Sequence, residues 1–222
     1  MTFHFCPPKN LQDLTSKTFP DGKRYYTLPN GNKVPSITTV VGAQKKKHIM
    51  AWRKRVGEAE ANRISNKASR RGTKLHTICE NYINNESDYY GDVMPDVKSM
   101  FKTIKPVIDK YINNIHYQEQ SLWSTKLQLA GRVDLIAEFD GVLSVIDFKT
   151  SSKIKEKEDI PDYFQQCTAY AICYEELIGQ PINQNVILMT VEDHVQPLVF
   201  IEKTEDHINN LLEHIKFHRE NK

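Results

Sequence analysis

Three ionisable residues lie within two hydrophobic segments near the middle of the chain, where charged side chains are costly to bury. Asp134 belongs to GRVDLIAEF (131–139), and Asp147 and Lys149 belong to VLSVIDFKT (142–150). An unpaired carboxylate or ammonium in such a place would shift its pKa and become neutral unless partners keep it charged. A divalent cation is one such partner for the carboxylates. These residue types therefore favour a metal site built from hard oxygen ligands, with a lysine beside it.

The two segments predict a β-hairpin. Apolar and polar residues alternate along the first segment, and Asp140-Gly141 favours a tight reversal. Because side chains alternate between the two faces of a strand, Asp147 and Lys149 share one face. A lysine there could activate an attacking water or neutralise charge that develops on a phosphate. The alternative is a surface ion pair at a strand edge with Asp134 exposed, and the hairpin alone does not decide between the two.

Composition is typical of a globular chain. Its 222 residues fit one domain of ordinary size, and 39% hydrophobic with 26% charged residues argue against a disordered or fibrous protein. Because the first 25 residues hold no signal-like apolar segment and the longest apolar run, VILMTV, is too short for a bilayer, we expect no membrane partner. We expect an intracellular protein, in the cytoplasm or in a host's cytoplasm if viral, and not a secreted one. The cysteines are expected to be reduced and buried; they are Cys6, Cys79, Cys167 and Cys173.

Positive charge is concentrated in residues 43–75, which hold eleven lysines or arginines against two glutamates in a chain of net charge +2. Such an asymmetry attracts polyanions. Ile49, Trp52, Val56 and Ala59 recur at helical spacing, which predicts an amphipathic helix with basic flanks. We favour a nucleic-acid surface over a solvated helix face without a partner. The residues expected to contact nucleic acid are Lys45, Lys46, Lys47, Trp52, Arg53, Arg55, Arg70, Arg71 and Lys74.

The first half of the chain is predicted to be mainly helical. An irregular, proline-containing arm (1–20) and a hairpin (24–42) that reverses at residues 29–31 precede the basic helix. A further helix is predicted over 71–85, beginning at the Arg-Gly-Thr tripeptide, and another over 96–112.

The second half is predicted to contain the strands. We expect a mixed α/β (α+β) fold, in which a small mixed sheet is flanked by helices. Its elements are predicted to be the hairpin (122–150), a charged loop that could move over the site (151–162), a helix (162–178), two strands (186–193 and 196–203) and a closing helix (204–220). We predict one domain over 1–222, divided into the arm (1–20), a basic helical region (43–115), a catalytic sheet and helix (120–203) and a C-terminal helix (204–222).

Four short motifs follow one another along the chain: GTKLH (72–76), GRVD (131–134), DFK (147–149) and QCTAY (166–170). In this order they resemble the PD-(D/E)XK nuclease superfamily, and within it the RecB-type exonucleases. Those carry a helical G-x-x-x-H, a GxxD strand, a D-x-K strand and a helical Q-x-x-x-Y. The likeness is greatest to the mitochondrial genome maintenance exonuclease group. Any one motif is weak, but all four in order are a specific signal.

The resemblance implies a restriction-endonuclease-like core with an N-terminal hairpin and a helical arch. It also implies that Asp134 and Asp147 bind the metal directly, helped by the Phe148 carbonyl and His76. Lys149 would then position or activate the water.

Three further residues keep their alternatives open. The resemblance implies that Gln166 orients the site, but Gln165 competes with it, and the spacing to Tyr170 favours Gln166. Tyr170 and Glu80 are expected to lie beside the metal ligands and to support them without a direct bond to the metal. Glu80 either reaches the metal through water or pairs with a nearby arginine, and His76 could instead be an ordinary histidine at a helix edge.

The implied cofactor is Mg²⁺ or Mn²⁺, with the imidazole tilting the preference toward manganese. Some relatives bind an iron–sulfur cluster through cysteines near the C-terminus. No cysteine follows Cys173 here, so we expect no cluster.

The function that these patterns favour is a metal-dependent DNA exonuclease that acts on single-stranded or frayed ends in replication, repair or recombination. One alternative is a structure-specific or RNA-directed endonuclease of the same fold. Another is a nucleic-acid-binding module without catalysis, against which the costly charged set argues. The sequence leaves the oligomeric state open.

Overall fold

A five-stranded mixed sheet between helices forms the centre of the computed structural model, which describes residues 2–221. Its strands are β4 (Ile112–Ser124), β5 (Leu129–Phe139), β6 (Val142–Ser151), β7 (Gln184–Val191) and β8 (Leu198–Lys203). A smaller sheet contains β1 (Ser16–Thr18), β2 (Arg24–Thr27) and β3 (Lys33–Pro35). The helices are α1 (Ile37–Val41), α2 (Lys46–Val56), α3 (Glu58–Ile83), α4 (Pro95–Tyr111), α5 (Pro161–Ile178) and α6 (Ile208–Glu220).

The larger sheet has the order β4-β5-β6-β7-β8, and only the β6–β7 pair is parallel. Parallel neighbours need a crossover connection, and α5 provides it. The prediction of a mixed sheet flanked by helices is therefore confirmed, as is the β5–β6 hairpin that turns at Asp140-Gly141.

Both faces of the central strands are covered. On β6, Val145 packs into the core that α5 and α6 share, whereas Ile146 and Phe148 pack into the core beneath α3 and α4. The alternation along β6 thus places Asp147 and Lys149 on the α5 side of the sheet.

The N-terminal region differs from the prediction at two places. The arm expected to be irregular over 1–20 contains strand β1, which pairs with β2. The predicted hairpin forms between β2 and β3, but residues 37–41 are helical and do not continue the strand. Ser36 is the cause, because its hydroxyl accepts a hydrogen bond from the Thr39 N–H at 3.0 Å and caps the helix.

The basic helices are divided at another residue than predicted. Gly57, with φ at 86°, ends α2 and leads directly into α3, whereas the Arg-Gly-Thr tripeptide at 71–73 lies inside α3. A helix forms in the basic region as predicted, but its apolar stripe does not reach the core. No residue of α2 is buried, Ile49 is 50% exposed, and Ala59 belongs to α3 and is also exposed.

Strand β4 was not predicted at full length. The sequence favours a helix to residue 112 and a helical region to 115, but the chain enters the sheet at Ile112. β4 carries many polar residues, and its register against β5 shifts between Asn113 and Tyr117. An irregular strand without clean alternation lacks the local pattern by which strands are recognised.

Two compositional predictions can be compared with the structure. All four cysteines are free; Cys79, Cys167 and Cys173 are buried, but Cys6 is exposed, contrary to expectation. Within residues 2–221, no helix combines the length and apolarity needed to cross a membrane.

Candidate active site

The candidate site lies where β5 and β6 separate. The ladder between them runs from Phe139↔Val142 to Leu135↔Ile146, and beyond that point β5 continues beside β4 while β6 continues beside β7. Asp134 and Asp147 are the next residues past the last pair. Separating strands expose a cleft whose walls carry the side chains of both.

Asp134 is held by a backbone group and a histidine. Its Oδ2 accepts a hydrogen bond from the Phe148 N–H at 2.9 Å and lies 3.4 Å from Nδ1 of His76. His76 comes from α3, on the far side of the sheet from α5, and its ring packs edge-on against Phe148. The structure therefore brings three of the four motifs together at one carboxylate.

Asp147 has both carboxylate oxygens occupied by side chains. Gln166 Nε2 donates to Oδ1 at 2.8 Å, and the Lys149 ammonium forms an ion pair with Oδ2. Of the two neighbouring glutamines it is Gln166 that reaches the site, whereas the Gln165 side-chain oxygen is buried without a hydrogen-bond partner among the described residues. Only 1% of Asp147 is exposed, so these two partners replace water.

Burial and mutual charge set the protonation of this group. Burial raises the pKa of Asp147 to about 6, and Asp134 adds repulsion while Lys149 opposes both. Burial lowers the pKa of Lys149, but attraction to Asp147 and Asp134 outweighs it and raises that pKa well above its usual value. Burial also lowers the pKa of His76, yet the Asp134 charge reverses this and raises it to about 9. Burial by itself would raise the pKa of Asp134, but the charges of His76 and Lys149 outweigh it and lower this pKa below its usual value.

Glu119 is a candidate site residue that the motifs do not contain. One ligand atom from each of His76, Glu119 and Asp134 can be chosen so that all lie within 4.8 Å of one another. Glu119 lies on β4 between the residues paired with Leu135 and Val133, hence opposite Asp134. Burial, with repulsion from Asp134 and Glu80, raises the pKa of Glu119 to about 7. Only a correct pairing of β4 with β5 could have revealed it.

A brace from the N-terminal arm fixes the backbone at Glu119. This residue has a positive φ of 47°, which is unusual for a side chain with a Cβ. Arg132 donates to the Glu119 carbonyl through Nη1 and to Asp13 Oδ2 through Nη2, the latter at 2.6 Å. Ser121 donates to the other oxygen of Asp13. The arm therefore helps to hold an irregular strand in the shape that presents Glu119.

The glycine of GRVD and the tyrosine of QCTAY are in contact. A Cβ added to Gly131 would lie 2.8 Å from Oη and 2.9 Å from Cε1 of Tyr170, closer than van der Waals contact allows. The Tyr170 hydroxyl donates to the Arg132 carbonyl at 2.7 Å. Gly131 is thus needed so that the buried Tyr170 ring can pack against β5 beside Asp134.

Glu80 does not belong to the group of converging ligand atoms. Its backbone carbonyl accepts a hydrogen bond from Gln118 Nε2 at 3.0 Å, which ties α3 to β4. Its charge contributes to the raised pKa of Glu119. Glu80 is therefore close enough to influence the charge of Glu119, but it lies outside the group of ligand atoms.

Several residues predicted to contact nucleic acid are engaged within the protein. Lys45 pairs with Asp162 at 2.6 Å, Arg53 pairs with Glu58, and Arg71 pairs with Glu192 at 2.7 Å. Only 6% of the Arg71 side chain is exposed, so a direct contact of this residue with a ligand is not supported. Within the described part of the chain, no carboxylate lies within ion-pair distance of Lys46, Lys47, Arg55, Arg70 or Lys74, and Trp52 is half-buried.

The exposed cations Arg70 and Lys74 of α3 face away from the cleft between β5 and β6. An α-helix turns by about 100° per residue, so Arg70 and Lys74 project roughly 120–160° from the direction of His76. They border an open groove of about 820 Å³ against residues 92–97. A nucleic acid that contacts these cations must therefore pass around α3 to reach Asp134.

The comparison with protein families agrees with this geometry. Residues 45–220 match the PD-(D/E)XK nuclease superfamily, and the chain belongs to this superfamily. Its members are nucleases that cleave nucleic acid with divalent metal ions. Among curated proteins, none matches the chain significantly.

The residues present fit a divalent cation. One imidazole nitrogen and two carboxylates converge, which is a donor set suited to magnesium or manganese. Asp147 is adjacent to this group but is engaged by Lys149 and Gln166.

Gly131→Ala is expected to destabilise the fold, because the added methyl group would collide with Tyr170. The expected loss in the free energy of unfolding is about 1–3 kcal/mol, the usual cost of overpacking. Tyr170→Leu also destabilises by itself, since it removes the ring and the bond to the Arg132 carbonyl. In the double variant the losses should be less than additive, because leucine leaves room for the methyl group. Urea unfolding of the four proteins measures this.

Gly72→Ala provides the matched control within another motif. A Cβ at Gly72 would meet only Thr150 Oγ1 at 3.8 Å, an ordinary contact, and the residue lies inside α3. Alanine favours helix, so the free energy of unfolding should rise by about 0.5–1 kcal/mol.

The packing explanation is contradicted if the losses caused by Gly131→Ala and by Tyr170→Leu simply add in the double variant.

Proposed function

We propose that this protein is a metal-dependent DNA exonuclease of the RecB type, related to the mitochondrial genome maintenance exonuclease group, which degrades single-stranded or frayed ends. The observation that carries the proposal is the convergence of His76, Asp134, Asp147 and Lys149 at the separation of β5 and β6. A half-buried lysine, a buried carboxylate and a group of ligand atoms are parts that phosphodiester hydrolysis can use. Membership of the nuclease superfamily supports the same reaction.

His76, Glu119 and Asp134 would hold the cation, with Asp147 and the Phe148 carbonyl as further ligands. A bound Mg²⁺ or Mn²⁺ supplies polarisation of the phosphoryl oxygen and a lower pKa for its water. The hydrogen bond from the Phe148 N–H keeps Asp134 oriented toward His76. Arg132 keeps the Glu119 backbone in place. The ligands are thus oriented before any ion arrives, which reduces the reorganisation that binding requires.

Lys149 is the cation that the chain itself supplies to the reaction. It stays protonated because Asp147 and Asp134 raise its pKa. A fixed ammonium can orient the attacking water and offset charge that develops on the phosphate. Gln166 holds Asp147 from the opposite side, so the carboxylate and the ammonium keep one geometry.

Helices α2, α3 and α4 support the preference for single strands. They lie in the chain between the small N-terminal sheet and the catalytic strands. α2 and α3 carry five cations that have no carboxylate within ion-pair distance in residues 2–221: Lys46, Lys47, Arg55, Arg70 and Lys74. We propose that they form an arch that admits one strand and excludes a duplex. Such an enzyme fits a role in DNA replication, repair or recombination.

Loss of hydrolysis without loss of binding is the test of the proposed site. Asp147→Asn and Lys149→Ala should each lower the cleavage rate by about 100-fold or more. Lys149→Ala removes the positive charge that offsets charge developing on the phosphate, and Asp147→Asn removes a proposed metal ligand and the carboxylate that pairs with Lys149. Glu119→Gln should weaken Mn²⁺ binding by about 10-fold or more. Cleavage by each variant is measured in gel assays with Mg²⁺, Mn²⁺ or a chelator, and nucleic-acid binding by the same variant is measured by fluorescence.

Glu138→Gln is the control for the carboxylate substitutions. Glu138 lies on β5 four residues beyond Asp134 and accepts a hydrogen bond from Asn114 Nδ2 at 2.8 Å, which glutamine can still accept. This variant should cleave like the wild type. Full activity of Lys149→Ala, or a loss in Glu138→Gln equal to that in Glu119→Gln, would count against the assignment.

Linear and circular single strands separate exonuclease from endonuclease action. An enzyme that threads an end through an arch should degrade linear DNA and leave a covalently closed circle of the same sequence intact. End-labelled strands of both polarities measure nucleotide release. Cleavage of the circle at a comparable rate would replace the exonuclease proposal by an endonuclease of the same superfamily.

Metal binding should release protons, because the ion binds deprotonated ligands. The pKa of His76 is raised to about 9 and that of Glu119 to about 7 in the metal-free protein. At about pH 6.5 both groups hold protons that the cation displaces, whereas at about pH 8 only His76 does. Affinity for Mn²⁺ should therefore rise with pH across this window.

Calorimetric titration with Mn²⁺ in two buffers of different ionisation enthalpy counts these protons. The count should exceed one at about pH 6.5 and fall toward one at about pH 8. Glu119→Gln should remove most of the difference between the two values. An affinity that does not depend on pH would show that the ion binds elsewhere.

A further inference from the structure

We propose that Tyr163, which belongs to none of the four motifs, is a positioning residue that holds the Lys149 ammonium through its aromatic ring and so sets the rate of the chemical step. This inference rests on the proposed nuclease function and adds a residue to it. Lys149 Nζ lies 5.0 Å from the centroid of the Tyr163 ring. That distance is within the range of a cation–π contact.

The ring gives Lys149 a second partner that uses none of its N–H groups. A lysine ammonium has three N–H donors, and the ion pair with Asp147 uses one of them. Attraction to a ring comes from the electrostatic field above its face and needs no hydrogen bond. The ammonium is thus fixed in space while donors remain for water or a phosphate oxygen. Only 17% of the Lys149 side chain is exposed, so little water competes with the ring.

Helix α5 places Tyr163 and Gln166 on the same side. Residues three apart on a helix are neighbours on its surface, and α5 begins at Pro161, so both belong to its first turns. Gln166 holds the carboxylate of Asp147, and Tyr163 contacts the ammonium of Lys149. One helix therefore fixes both charged groups of the DFK motif.

Tyr163 also brings the basic region to the cleft. Lys45 Nζ lies 5.8 Å from the centroid of the same ring and 2.6 Å from Asp162 Oδ1. Of the cations predicted to contact nucleic acid, Lys45 is the one that shares a partner with the catalytic lysine. Its place predicts a contact with a phosphate near the bond that is cleaved, and hence an effect on KM.

The test separates the ring from its hydroxyl. The Tyr163 hydroxyl forms no hydrogen bond with any other residue of 2–221, so Tyr163→Phe should retain most of kcat. Tyr163→Leu should lower kcat by about 10-fold, because the contact is half-buried and its worth lies between those of an exposed and a desolvated cation–π contact. KM and the affinity for Mn²⁺ should stay within about 2-fold of wild type, while Lys45→Ala should raise KM with little change in kcat.

Tyr90→Leu is the matched control. Tyr90 is a half-buried tyrosine whose ring contacts a lysine, Lys98, at 5.6 Å, outside the catalytic cleft. Its replacement should lower the melting temperature without changing kcat. An equal fall of kcat in Tyr90→Leu and Tyr163→Leu would reduce the effect to general destabilisation and overturn the inference.

A fluorinated series keeps the inference testable if Tyr163→Leu does not fold. Phenylalanine and its mono-, di- and trifluorinated forms, placed at position 163 of the full chain, have nearly the same shape but progressively weaker attraction for cations. We expect kcat to fall stepwise with fluorination. A constant kcat, or a Tyr163→Phe variant as slow as Tyr163→Leu, would overturn the role of the ring. Absence of cleavage by the wild type with either metal would instead refute the proposed nuclease itself.

Discussion

Two carboxylates and a lysine must remain charged where the protein leaves little room for water. Asp134 and Asp147 meet at the separation of β5 and β6, and burial with mutual repulsion raises the pKa of Asp147 to about 6. Lys149 and His76 offset this unfavourable electrostatic energy. Buried ion pairs seldom add to stability, because desolvation costs about as much as the attraction returns. An arrangement of this kind is more readily explained by chemistry than by folding.

The fold supplies the partners from both sides of one sheet. Because β6 and β7 are parallel, a crossover helix must cover one face, and α5 thereby brings Gln166 and Tyr163 over Asp147 and Lys149. Helix α3 covers the opposite face and brings His76 to Asp134. Tyr170 packs so tightly on β5 that the facing position, 131, must be glycine.

Charge counted along the sequence overstates the surface available to nucleic acid. Arg53 and Arg71 are engaged by Glu58 and Glu192. The remaining cations of α3 point away from the cleft. Net charge describes the long-range attraction of a polyanion, but only positions in the fold decide which cations lie beside the bond to be cleaved.

The sequence by itself determined those features whose signals are local. The β5–β6 hairpin follows from the alternation along its first segment and from the turn at Asp140-Gly141, and the helix over Pro161–Ile178 was predicted to within one residue. The order of four motifs was enough to indicate the superfamily. Tertiary structure alone decided the polar strand β4, the position of Glu119 opposite Asp134 and the contact of Tyr163 with Lys149. These depend on pairing and packing between segments far apart in the chain, and no local pattern records a register that a distant strand imposes.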